Sequence, residues 1–264
     1  MRIACGVEYD GSAYHGWQRQ SNAQSVQQVV EQALSTVADH PVEVFCAGRT
    51  DRGVHATGQV IHFDTHAERA MHSWVLGGNS NLPHDVSILW AQAVNDEFHA
   101  RFKAVERSYR YIVFTRYTRP ALLRQRVTWW LHSLDIARMR NAAVHLLGKH
   151  DFSSFRAAEC QARTPVRTLH ELNITGQGQF IYLDVRADGF LHHMVRNIAG
   201  VLLAVGGGEQ PPDWVRTVLE ARDRTCAGIT APADGLYLTD VRYPDQWNIP
   251  RDGYKPVYGD ILAN

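Results

Sequence analysis

Asp51 is the only carboxylate in the stretch Phe45-Cys-Ala-Gly-Arg-Thr-Asp-Arg-Gly-Val-His-Ala56, and two guanidiniums, Arg49 and Arg52, flank it. Gly48 and Gly53 bracket the charged tetrapeptide and His55 follows. A neighbouring cation favours the anionic form of a carboxylate. Such an anion can act as a nucleophile or as a base. The same residues also suit a plain turn in which Asp51 bonds its own backbone. Both readings stand on the residues alone. Other chemistries lack their signatures. No G-x-S-x-G elbow is present for a serine triad. No phosphate-binding glycine loop indicates a nucleotide cofactor. The four cysteines, 5, 46, 160 and 226, form no C-x-x-C pair, and the fourteen histidines show no metal-ligand spacing. Reduced thiols in a cytosolic protein, with no metal, are the expectation.

The elements that must position Asp51 are legible in the flanks. Val42–Cys46 and Gln59–Phe63 are apolar runs, so the stretch reads as strand, polar loop, strand. Upstream, Ile3, Cys5, Val7 and Tyr9 alternate as on a half-buried strand. Tyr9-Asp-Gly-Ser-Ala-Tyr-His-Gly-Trp-Gln-Arg19 follows as a glycine-broken loop. Ser25 with Gln28 predicts a capped helix start. Val26, Val29, Val30, Ala33, Leu34 and Val37 then share one helical face. A second helix is predicted over 67–78, ending at Gly77-Gly78, with loop to Pro83 and a strand over 86–94. The first hundred residues thus read β-α-β-β-α-β, the order of a ferredoxin-like unit.

The second half repeats the mixture. Strands are predicted over 107–114, 165–175, 179–187 and 235–243. Helices are predicted after the cap Asp135, over the apolar run 190–205, and over 213–222. Arg196 lies in the middle of the long apolar run, where a guanidinium needs water or an acid. The predicted fold class is therefore α+β. It consists of two pseudo-symmetric ferredoxin-like halves with mixed, mainly antiparallel sheets meeting at a central catalytic cleft. The expected divisions are an N-terminal domain over 1–104, a C-terminal domain over 105–247 and a loosely ordered tail over 248–264.

The net charge of zero conceals 24 arginines against three lysines. Between 101 and 126 stand Arg101, Lys103, Arg107, Arg110, Arg116, Arg119, Arg124 and Arg126, opposed only by Glu106. Phe102, Tyr109, Tyr111, Phe114 and Tyr117 interleave with them. Basic charge alternating with aromatic faces suits a nucleic-acid surface. No apolar run nears the roughly 20 residues of a membrane span, and no targeting leader is expected at the start.

Six ordered motifs resemble those of the tRNA pseudouridine synthase A family. They are the loop Tyr9–Arg19, Gly48–Ala56, Phe98–Arg101 with Arg107–Tyr111, Asp151–Phe155, Phe190–Asn197 and Gly235–Leu238. Arg52 departs from the small residue usual at its place. The resemblance implies isomerisation of uridine to pseudouridine at positions 38, 39 and 40 of the tRNA anticodon stem-loop. It implies a cytoplasmic homodimer, no cofactor and no membrane partner. It assigns Asp51 to starting glycosidic cleavage, Arg196 to pairing with it, and Tyr109 and Leu236 to the two faces of the uracil. Arg49, Arg52, Arg101, Arg107 and Arg110 are then candidate phosphate contacts. A non-catalytic RNA-binding module and an Asp-dependent RNA or nucleoside hydrolase are the competing readings of the same residues.

Overall fold

The computed structural model describes residues 1–259. Contacts divide the chain into two units: Met1–Arg107 with Tyr237–Lys255, and Ser108–Leu236 with the chain from Pro256. The sequence-based division at 104/105 lies three residues before this boundary, and residues 237–255 group with the first unit. No helix among the described residues is long and apolar enough to cross a membrane.

The first unit holds β1 (Arg2–Tyr9), α1 (Val26–Ala38), β2 (Phe45–Cys46), β3 (His55–Asp64), α2 (Met71–Asn81) and β4 (Val86–Val94). Its strand order is β4-β1-β3-β2 with antiparallel neighbours throughout. β10 (Leu236–Arg242) adds a parallel pairing to β3, Tyr237 opposite His55 and Leu238 opposite Ala56. The alternation of β1 places Ile3, Cys5 and Val7 in the core, and Ala4 on the other face is buried too. α1 starts where its sequence says it should: Ser25 is the N-cap, and the Gln28 N–H donates to Ser25 Oγ at 3.3 Å.

α2 runs through Gly77-Gly78 instead of stopping there. A Cβ on Gly77 would meet Val37 Cγ2 at 3.0 Å, and one on Gly78 would meet Ile88 Cδ1 at 2.5 Å. These glycines let α2 lie close against α1 and β4. Asn79, expected in a loop, is in the helix and clamps β4. It donates to the Ile88 carbonyl at 2.9 Å and accepts from the Ile88 N–H at 2.7 Å.

The second unit holds β5 (Glu106–Thr115), β6 (Thr128–Trp130), α3 (Ile136–Ala143), β7 (Gly148–Asp151), β8 (Val166–Gln177), β9 (Phe180–Ala187), α4 (Met194–Gly206) and α5 (Trp214–Ala221). Its strand order is β5-β9-β8-β7, with β6 parallel to β5. β8 and β9 form a hairpin whose turn includes Gly178 at φ +57°. Asp135 caps α3, accepting from the Arg138 N–H at 3.0 Å. α4 begins at Met194, four residues later than predicted, with His193 in the left-handed region ahead of it.

The tail after 247, expected to be loosely ordered, is tied down. Thr57 Oγ1 donates to the Tyr254 carbonyl at 2.5 Å. Arg251 pairs with Asp240. In the second unit Tyr182 and Tyr258 bond reciprocally, at 2.5 and 2.9 Å. Residues 260–264 of the predicted tail lie outside the described residues.

Candidate active site

Asp51 lies half-buried in the loop between β2 and β3. Its own carbonyl accepts from the Val54 N–H at 3.1 Å, closing a tight turn. The neighbours of Asp51 are fixed by the segment that follows β1. The Trp17 N–H donates to the Thr50 carbonyl at 3.0 Å, and the Gly53 N–H donates to the Tyr14 carbonyl at 3.4 Å. Tyr9 and Thr50 share a buried hydroxyl–hydroxyl bond of 2.8 Å. Gln59, fully buried on β3, spans Gly48 with both ends of its amide. Nε2 donates to the Gly48 carbonyl at 2.6 Å, and the Gly48 N–H donates to Oε1 at 3.3 Å.

Two glycines let the segments approach this closely. A Cβ on Gly11 would sit 2.0 Å from the Val54 carbonyl oxygen. Gly16, at φ +92°, faces the Thr50 carbonyl, where a Cβ would sit at 2.7 Å. His55 seals the arrangement. Its Nδ1 lies 3.0 Å from the Gly11 N–H that donates to it, and Asp10 Oδ1 lies 3.1 Å from the same nitrogen. The ring stacks on Tyr237 at 4.6 Å. Glu31, buried on α1, accepts from the Val44 N–H at 3.1 Å and pairs with Arg19 at 2.7 Å. It thereby joins the end of the first loop to the chain entering the second.

The sequence draws attention to the charges around Asp51 and assigns no supporting role to Tyr9, Glu31, Thr50, His55 and Gln59. Gln59 carried a signal, a polar amide next to Val60 and Ile61 in a strand bound for the core. Glu31 carried one as well, standing between Val30 and Ala33 on the buried side of α1.

The five candidate arginines take three different situations. Arg49, Arg52 and Arg101 are exposed. Arg107 is committed to carbonyl groups. It donates to Ala47 at 3.1 Å, Ala104 at 3.1 Å and Arg101 at 2.7 Å. It is a strut under the Asp51 loop more than a free phosphate ligand. Arg110 is a correction. Its guanidinium is buried and grips Asp184 with two bonds of 2.8 Å, with a third donated to the Pro256 carbonyl at 3.0 Å. Bidentate pairing to a carboxylate 74 residues away uses the fork that a phosphate would need. Arg49, Arg101 and Arg107 also converge electrostatically. All three attract the Cys46 thiolate, against a burial penalty that dominates and pushes the thiol up to about 12.

In the second unit, Tyr109 is buried on β5 and meets Phe190 edge-on at 5.1 Å. Leu236 is buried at the start of β10. Arg196 is half-exposed on α4. Its Nε donates to the Ala231 carbonyl at 2.9 Å, and the Ala231 N–H donates back to the Arg196 carbonyl at 3.1 Å. That exchange fixes the direction of the guanidinium fork. Gly200, one turn on, permits the contact, since a Cβ there would lie 1.9 Å from the Ile229 carbonyl oxygen.

A family profile described as tRNA pseudouridine synthase matches residues 6–103 and 142–244. The matched segments contain the Asp51 loop, its supporting segment, Arg196 and Leu236. The chain belongs to the tRNA pseudouridine synthase family. Relatives of this family named tRNA pseudouridine synthase A run almost the full length. That of Nitrosococcus oceani is 57% identical over 251 residues, 95% of this chain and 97% of its own. That of Coxiella burnetii is 56% identical over 257 residues, 97% and 98% of the two chains. That of Vibrio vulnificus is 54% identical over 258 residues, 98% of each.

Proposed function

We propose that this member of the family isomerises uridine to pseudouridine in tRNA, at positions 38, 39 and 40 of the anticodon stem-loop, with Asp51 starting the reaction. The observation that carries the reading is the Asp51 loop itself. It is the stretch where the backbone on either side of a single carboxylate is held, by the Trp17 N–H on the Thr50 carbonyl, by the Gly53 N–H on the Tyr14 carbonyl, and by the Tyr9–Thr50 and Gly48–Gln59 pairs. Positioned groups are what a bond-breaking step requires.

The reaction breaks N1–C1′, turns the uracil, forms C5–C1′, removes the C5 proton and returns a proton to N1. No electron donor and no group donor enter the balance. Asp51 acts on the sugar, by attack at C1′ or by taking the C2′ proton, and both routes need its ionised form. Arg196 is proposed as its cationic partner, with its fork aimed by the Ala231 exchange. Tyr109 and Leu236 are proposed for the two faces of the uracil, which must leave its stack at a cost of a few kcal/mol. Arg49, Arg52 and Arg101 are the exposed guanidiniums available to phosphates, and their share of the affinity falls with salt.

Two ferredoxin-like halves related by pseudo-symmetry are proposed for the architecture. The antiparallel order β4-β1-β3-β2 of the first unit supports this reading. A cytoplasmic homodimer belongs to the same proposal.

The test is tritium release from tRNA carrying 5-³H-uridine. Wild type is expected to release tritium and leave the strand intact. Release of free uracil, strand scission, or no reaction across tRNAs with uridine at these positions would overturn the proposal. Arg196→Ala is expected to lose turnover far more than tRNA affinity. Equal losses would make Arg196 a phosphate contact.

A further inference from the structure

We propose that Phe45 and Phe102 form a stacking ledge that holds an unpaired nucleobase of the RNA a few nucleotides from the target uridine. The proposal rests on the RNA-modifying reading above and adds a binding subsite to it.

Four rings on the first unit make a ladder. Phe45 stacks on His62 with centroids 5.1 Å apart and planes 24° apart. His62 meets His99 at 4.6 Å, and His99 meets Phe102 at 4.3 Å. The ladder is anchored below and open above. His62 is buried, with Nδ1 accepting from the Ala100 N–H at 3.2 Å. Phe102 is 74% exposed and Phe45 is 41% exposed. A large aromatic side chain left this open on an ordered scaffold suits a base, because every base has a π-face.

Charge and position select the occupant. Burial, His99 and Arg2 together push His62 down to about 4, so that ring is neutral at working pH. The cation at the ledge is Arg101, with Cζ 5.9 Å from the Phe102 ring centroid. Arg49 and Arg101, in the chain segments that carry Phe45 and Phe102, are both exposed. Arg2 is paired with Asp64 through two bonds, of 2.8 and 2.9 Å. An exposed guanidinium beside an exposed ring fits a polyanion better than a second neutral protein surface.

The ledge also adjoins the Asp51 loop. Arg107 bonds both the Ala47 and the Arg101 carbonyls, linking the loop to the ledge. Phe45 and Asp51 are six positions apart in the chain, so their Cα atoms lie within roughly 20 Å of each other. That span covers at most about six stacked nucleotides at 3.4 Å each. An RNA presenting its uridine to Asp51 has a neighbouring unpaired base within reach of these rings.

The experiment is a fluorescence titration of tRNA transcripts carrying 2-aminopurine at one anticodon-loop position at a time. It compares wild type, Phe45→Ala/Phe102→Ala, Phe102→Tyr and Arg101→Ala at several salt concentrations. For wild type, quenching is expected at one position within about six nucleotides of the target. The double alanine variant is expected to lose that quench and to bind about 5- to 100-fold more weakly, with an unchanged salt slope. Phe102→Tyr keeps the ring and is expected to keep the quench. Arg101→Ala is expected to lower the salt slope by about one. Wild-type affinity and quenching in the double variant would overturn the proposal. So would a shift in the oligomeric mass of that variant, which would assign the ledge to a second copy of the chain. If wild type forms no pseudouridine, the functional reading fails. If it does and the double variant binds normally, only the ledge fails.

Discussion

Replacing Gly16 by alanine tests whether the backbone around Asp51 sets the rate. Gly16 packs against the backbone of Thr50 and Asp51 and touches no substrate in the proposed mechanism. It adopts φ +92°, and an added Cβ would lie 2.7 Å from the Thr50 carbonyl oxygen, 3.1 Å from the Asp51 carbonyl carbon and 3.2 Å from the Arg52 nitrogen. All three are backbone atoms, so no flexible side chain can give way. Restoring an ordinary contact displaces the Thr50–Asp51 peptide by about 0.7 Å, against steep repulsion. A 1 Å displacement of a catalytic group costs about 100-fold in rate, so the single-turnover rate is expected to fall about 10- to 100-fold. Left-handed backbone at a residue with a Cβ costs about 1–2 kcal/mol, and forced packing about 1–3 kcal/mol more. The melting temperature is expected to fall by roughly 5–12 °C at this chain length. The assay is single-turnover pseudouridine formation at saturating tRNA, well below the variant's melting point, with binding measured in parallel. A rate within twofold of wild type would refute the idea that this loop is held in place for chemistry. A rate lost together with all tRNA binding would show instead that Gly16 maintains the RNA surface.

Further expectations follow from the same geometry. Arg110→Gln breaks the bidentate ion pair with the buried Asp184 carboxylate, and breaking such a pair costs about 3–5 kcal/mol. Thermal or urea unfolding should show that loss while the folded variant binds tRNA as wild type does. A stable variant with weakened tRNA binding would return Arg110 to the phosphate contacts. For His62, the unfolded ring takes a proton near 6.5 and the folded ring only near 4, held down first by burial. Between those values the unfolded chain binds more protons, so His62 contributes stability that is present above pH 6.5 and lost as pH falls towards 4. His62→Asn keeps an acceptor for the Ala100 N–H and removes the titration. Its melting temperature should fall less between pH 6.5 and 4.5 than that of wild type, and an identical slope would assign the acid sensitivity elsewhere.

Much of the local design was legible in the sequence because the signals were local. Ser25 and Gln28 marked the start of α1 within a few residues, and the alternation of β1 showed its buried face. The order β-α-β-β-α-β over the first hundred residues came from periodicity alone. What escaped was decided at long range. Gly77-Gly78 carries a stop signal, yet the contacts with Val37 and Ile88 make the same pair a packing surface inside α2. Arg110 looks like any arginine of a basic strand until Asp184, 74 residues on, is beside it. The return of residues 237–255 to the first unit depends on β10 pairing with β3 and on Thr57 bonding Tyr254. No local pattern encodes that pairing. At the site, the Asp-bearing loop announced itself through its composition. Its supporting residues did not, because Tyr9, Thr50 and Gln59 are ordinary strand and turn residues until the fold buries their polar ends against one another.

The central claim is that the Asp51 carboxylate starts the reaction. The direct measurement is the single-turnover rate of pseudouridine formation by wild type and Asp51→Asn, at equal occupancy of the same tRNA. Asparagine keeps the size and one side-chain oxygen acceptor and removes the negative charge. The rate is expected to fall by about 10⁴-fold or more, as when a nucleophile or its base is lost, with tRNA affinity within threefold of wild type. Pseudouridine formed by Asp51→Asn at more than a tenth of the wild-type rate would contradict the account.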